Sequence, residues 1–100
     1  MGTKNYGINI VGYESLAVSE TTAVGLASIP AKANRAFFTC ETVSVRWRAD
    51  GTDPTITEGH VLAKDDSISF TGANYRSMLQ GIMFISTTTA DGVLKATYFD

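Results

Sequence analysis

The longest stretch of the chain without glycine or proline, residues 31–50, is the natural place for a helix, yet its second half does not read as one. Val43-Ser44-Val45-Arg46-Trp47-Arg48 alternates apolar and polar residues with a period of two. Val43, Val45 and Trp47 fall on one face and Ser44, Arg46 and Arg48 on the other, as a strand needs when one side is buried and the other is wet. Two further runs repeat the pattern. Ile68 and Phe70 alternate with Ser67, Ser69 and Thr71, and Leu94, Ala96 and Tyr98 alternate with Lys95 and Thr97.

Composition agrees with the pattern. The chain holds 13 Thr, 7 Val and 7 Ile beside 10 aromatic residues, so over a third of it favours a pleated surface. Turn signals at Gly12, Gly25, Asp50-Gly51, Asp53-Pro54, Gly59, Asp65-Asp66, Gly72-Ala73-Asn74, Gly81 and Asp91-Gly92 punctuate the runs. Their spacing, roughly 8–12 residues, is the rhythm of a sandwich or small barrel. The expected fold is all-β: a single-domain antiparallel β-sandwich, jelly-roll or Ig-like, of about seven or eight short strands. Strands are expected near 8–12, 22–27, 35–41, 43–48, 60–63, 67–71, 81–86 and 93–99. The domain spans 8–100, behind a polar, mobile arm at 1–7. A short helical turn is expected at 13–19 or at 74–79, where Asn74 is placed to cap it. Asp91-Gly92 marks the clearest hairpin, between 82–86 and 93–99.

The chemistry available is sparse. One hundred residues bury one core and leave little chain for a deep cleft. A net charge of −2 provides no basic field for nucleic acid. No apolar run approaches the ~20 residues that a membrane helix needs. One Cys and one His cannot supply a zinc site or an internal disulfide, and no cofactor or small-molecule substrate is implied. His60 lacks a nucleophile and an orienting partner in recognisable spacing, and reads as a histidine at a strand start. Cys40, inside an apolar-rich strand, reads as a small buried hydrophobe. Asp50, Asp53, Glu58, Asp65 and Asp66 form an acidic supply that reads as solvated loop charge. The 50–58 segment does not follow the ligand order of a calcium loop. The chain is therefore expected not to be an enzyme.

The outward faces are more informative. Ile82-Met83-Phe84-Ile85 is apolar on both sides, and Phe99 faces opposite to Tyr98. Such a strand is either central in a two-layer core or half of a protein interface. Met83, Ile85, Phe99, Tyr75, Met78 and Leu79 are the candidate interface residues.

The segment Val45-Arg46-Trp47-Arg48-Ala49-Asp50-Gly51-Thr52-Asp53-Pro54-Thr55, followed by Gly59-His60-Val61-Leu62, resembles a pattern common in small structural proteins of tailed bacteriophages and prophages. Thr22-Ala23-Val24-Gly25-Leu26, Asp65-Asp66-Ser67-Ile68 and the closing 92–99 strand extend the resemblance over residues 20–99. The bulkier 73–81 segment departs from it and is a candidate for a contact of its own. The resemblance implies a β-sandwich component of the virion, made in the bacterial host cytoplasm and without enzymatic activity. Within it Trp47 would anchor the core, while Arg46 and Arg48 would brace the turn formed by Asp50, Gly51, Asp53 and Pro54. The leading expectation is a capsid decoration or cement protein, binding major capsid protein or other virion proteins as a homo-oligomer such as a trimer. A neck or tail position is the alternative within that class. The arm at 1–7, or an exposed edge strand, could add a strand to a neighbour's sheet. A different class is a carbohydrate-binding host-attachment module using Tyr6, Tyr13, Tyr75 or Phe99 as an aromatic platform.

Overall fold

The computed structural model describes residues 9–100, so the expected arm at 1–7 and position 8 lie outside the described residues. Eight strands and one short helix follow in the order β1 Ile10–Val18, β2 Val24–Gly25, β3 Arg35–Glu41, β4 Val45–Arg48, β5 His60–Leu62, β6 Ser67–Phe70, α1 Arg76–Gly81, β7 Met83–Ser86 and β8 Gly92–Phe99. They form two antiparallel four-stranded sheets, ordered β1-β8-β3-β6 and β2-β7-β4-β5. First pairs with last, second with seventh, third with sixth and fourth with fifth. That nesting is a long hairpin rolled into two layers, the jelly-roll order, and it excludes the Ig-like alternative.

Alternation builds the core as the sequence implies. Phe38 and Cys40 from β3, Val45 from β4, Phe84 from β7 and Leu94, Ala96 and Tyr98 from β8 are all fully buried between the layers. Phe38 joins the sheets by meeting Phe84 edge to face at 5.7 Å. Trp47, expected as the core anchor, is only half-buried at the margin of this cluster, and Tyr98, Phe38 and Phe84 are the large rings at its centre.

Three local expectations are corrected. The 13–19 segment is not a helical turn. It extends β1, with Glu14, Leu16 and Val18 inward and Tyr13, Ser15 and Ala17 outward, because pairing with β8 from Gly12↔Tyr98 to Val18↔Gly92 outweighs weak local propensity. The helix is α1, two residues later than 74–79. The Asn74 side chain accepts the Arg76 N–H at 3.0 Å, but Tyr75 occupies the N-cap position. Asp91-Gly92 closes no hairpin: β7 and β8 belong to different sheets, and 87–91 is an arch between layers. The fully buried Ser86 hydroxyl holds this arch by donating to the Ala90 carbonyl at 2.6 Å, and Thr87 donates to the Ser44 carbonyl at 2.9 Å.

One buried carboxylate locks the crossover from β2 to β3. Glu14 points inward from β1 and accepts the backbone N–H groups of Ala27 at 3.1 Å and Ser28 at 3.0 Å, together with the Tyr98 hydroxyl. Burial first, then the hydrogen bond to Glu14 and its charge, push the Tyr98 phenol far above its ordinary value, so Tyr98 stays a donor. Tyr98→Phe leaves a buried carboxylate short of one partner and should cost about 1–3 kcal/mol. Urea denaturation should show a lower midpoint with an unchanged slope; an unchanged midpoint would mean that the bond contributes nothing.

Candidate functional site

The segment singled out by sequence folds as one unit. β4 and β5 pair in the register Val45↔Leu62, Arg46↔Val61 and Trp47↔His60, and the 49–59 loop between them folds back over the outer face of their sheet. Arg46 points outward from β4 and donates through Nε to the Ile56 carbonyl at 3.1 Å and through Nη1 to the Gly59 carbonyl at 2.7 Å. Arg46 therefore does not brace the Asp50–Asp53 turn as expected; it ties down the far end of the loop. Arg48 does hold the turn. It grips Asp50 with two parallel bonds, Nε to Oδ1 at 3.0 Å and Nη2 to Oδ2 at 2.5 Å. This pairing lowers the Asp50 carboxyl pKa below its ordinary value and raises that of Arg48.

Two further features seat the loop. Pro54 is buried, and Gly59 lies in the left-handed region at φ +133°, where a Cβ would come within 3.0 Å of the Trp47 carbonyl and 3.2 Å of Pro54. Asp53 is exposed on the rim of a second hollow shared by Pro54, Ile56 and Ile85. The loop explains the two-sided apolar strand: in β7, Phe84 enters the core and Ile85 lies outward beneath the loop, only 6% exposed.

Where loop and strands meet, Trp47, Arg48, Ala49, Asp50, Glu58, Gly59 and His60 line an open hollow of about 520 Å³. The exposed His60 ring, at the start of β5, lies against Trp47 at 4.7 Å with the ring planes tilted by 37°. Behind it Trp47 meets Phe70 edge-on at 5.6 Å, and Phe70 meets Phe38 at 6.0 Å and Tyr75 at 5.5 Å. Trp47 is thus fixed by a chain of rings that leads to the core. Of the acidic residues noted in the sequence, the hollow brings together Asp50 and Glu58. Among the described residues no group of three or more His, Cys, Asp or Glu side chains is placed to hold a metal ion. Cys40 is fully buried, donates to the Val43 carbonyl at 3.1 Å, and has its thiol pKa pushed up mainly by burial.

The expected interface set is largely internal. Leu79 is fully buried in the core and Ile85 lies under the 49–59 loop, so neither is available to a partner. Tyr75 and Met78 pack against the core, and Met83 is half-buried. The 73–81 segment staples the fold through Arg76, whose Nη1 donates to the carbonyls of Pro30 at 2.9 Å and Ala33 at 2.8 Å. Phe99, also half-buried, lies on the outer side of the β1-β8-β3-β6 sheet. Register places Ile10, Phe99 and Arg35 in one row there, and Tyr13, Thr97, Phe37 and Ser69 in the next. Ile10 is 71% exposed, Tyr13 61% and Phe37 38%; on the other sheet and its loop Val61 is 55% exposed and Ile56 54%. Ile10 and Phe37 were missed as surface residues, although the Phe37-Phe38 pair signals a strand with an aromatic on each side.

Compared with protein-family models, with curated proteins and with solved structures, the chain gives no match.

The Arg48 fork makes a pH-dependent prediction. In an NMR titration Asp50 should protonate below the usual carboxylate range of about 3.9, and Arg48→Ala should return it toward that value. Because the folded pKa is depressed, the fork's contribution is present above the unfolded value and fades as pH falls through the folded one.

Proposed function

We propose that this protein is a structural component of a tailed-phage virion, a head decoration protein that docks on major capsid subunits through the outer face of the β1-β8-β3-β6 sheet. The observation that carries the reading is the grouping on one face of exposed Ile10, Tyr13 and Phe37 beside half-buried Phe99, whereas the large exposed apolar residues of the other sheet and its loop are Val61 and Ile56 alone among the described residues. Serine and threonine hydroxyls from Ser15, Thr39, Ser67 and Ser69 border these rings, the arrangement of an aromatic centre inside a polar rim that protein interfaces favour. The resemblance over 45–62 supports the same class, and the titratable groups with resolved shifts are engaged in structural bonds. The mechanism is mechanical. Copies clustered about the symmetry axes of a shell, as trimers for example, each bury apolar area on two neighbours, and the summed contacts oppose internal pressure.

Quantitative protein stoichiometry of purified particles tests this. Hundreds of copies per particle are expected; about six to twelve would indicate a neck ring instead, and absence from the particle would overturn the virion reading. Phe37→Ser should fold normally and bind undecorated heads at least about thirtyfold more weakly, as loss of a central aromatic contact requires. Unchanged binding would move the docking face elsewhere.

A further inference from the structure

We propose that the hollow beside Trp47 and His60 binds a neutral pyranose sugar. It lies at the β4–β5 end of the second sheet, away from the docking face, and the inference does not depend on the docking reading. Its volume of about 520 Å³ falls within the roughly 300–1,000 Å³ of small-molecule sites.

The lining selects the ligand class. Trp47 and His60 form an angled aromatic wall, their planes tilted by 37° at 4.7 Å, and the edge-to-face contact with Phe70 holds Trp47 in place before any ligand arrives. Such a wall suits the C–H face of a sugar ring, which presents apolar hydrogens on one side and hydroxyls around its edge. Polar groups line the same hollow. Glu58 offers carboxylate oxygens that accept from hydroxyl protons, and Arg48 spends two of its five N–H donors on Asp50, leaving others for hydroxyl oxygens.

Charge argues against an anion: Arg48 is neutralised by Asp50, and the Glu58 carboxylate remains, so phosphate meets repulsion without a free cation to bind it. A quaternary ammonium meets no such repulsion and also favours aromatic surface, so choline is the competitor that the titration tests, but it carries no ring of hydroxyls to engage both the Glu58 acceptor and the Arg48 donors.

Trp47 is the only tryptophan, so intrinsic fluorescence reports on this hollow alone. The full chain is titrated with D-glucose, D-galactose, D-mannose and N-acetyl-D-glucosamine, and with choline and inorganic phosphate as cation and anion probes. At least one sugar should give a saturable change with a Kd of about 1 mM, the affinity expected for a ligand of roughly a dozen non-hydrogen atoms. Choline and phosphate should give none. Glu58→Gln and His60→Ala, both at exposed positions, should keep the thermal midpoint while weakening sugar binding by about fivefold or more. Absence of saturation with all four sugars, saturation by choline or phosphate instead, or an undiminished sugar Kd in both variants each overturns the proposal. Phe37→Ser should bind the sugar as the natural chain does, which separates failure here from failure of the docking reading.

Discussion

The structure depends on its last strand. β8 runs between β1 and β3, so the strand made last joins the strand made first to the middle of the chain. Its inward residues Leu94, Ala96 and Tyr98 are fully buried. The two ends are then tied by hydrogen bonds: Asn9 donates its backbone N–H to Asp100 Oδ1 at 2.9 Å, and Asp100 donates its own to the Asn9 carbonyl at 3.0 Å. The Asn9 backbone N–H and side-chain amide, both donating to the Asp100 carboxylate, lower its pKa because they favour the charged form. Pairings of this separation close large loops, so the entropy of ordering the chain is spent before the contacts repay it. A jelly roll cannot be assembled from one end, and the Glu14–Tyr98 bond forms only when both ends have met.

The two sheets are dressed differently. The outer side of β4 and β7 is covered because Arg46 captures two carbonyls of the 49–59 loop and Pro54 is buried beneath it. The outer side of β1, β8 and β3 groups the exposed Ile10, Tyr13 and Phe37. That face and the Trp47–His60 hollow are each built by a different part of the sequence.

Much of the sandwich is legible residue by residue. The two-fold alternation of 43–48, 67–71 and 93–99 survives in β4, β6 and β8 because it reflects a core on one side and solvent on the other. Cys40 reads correctly as a buried hydrophobe. The candidate site is less legible. Arg46 and Arg48 look equivalent in sequence, but only Arg48 is two residues from Asp50 on an exposed turn, whereas the pairing of β4 with β5 brings Arg46 against the carbonyls of Ile56 and Gly59. The interface set failed for a related reason: an apolar residue on the outward face of a strand looks exposed until a distant loop is known to cover it, as happens to Ile85.

From sequence alone came the all-β class, the number of strands and the inward face of most of them, since those follow from local alternation and turn chemistry. Which strands are neighbours came only from the tertiary structure. Asp91-Gly92 has the composition of a hairpin turn and serves instead as an arch, because β8 gains two partners by crossing to the other layer while β7 already lies between β2 and β4. Pairing is a long-range competition for hydrogen-bonding edges and buried area, and no short segment carries its outcome. The face of Ile10, Tyr13 and Phe37 and the Trp47–His60 hollow are products of that outcome, since each joins residues that only the pairing of distant strands brings side by side.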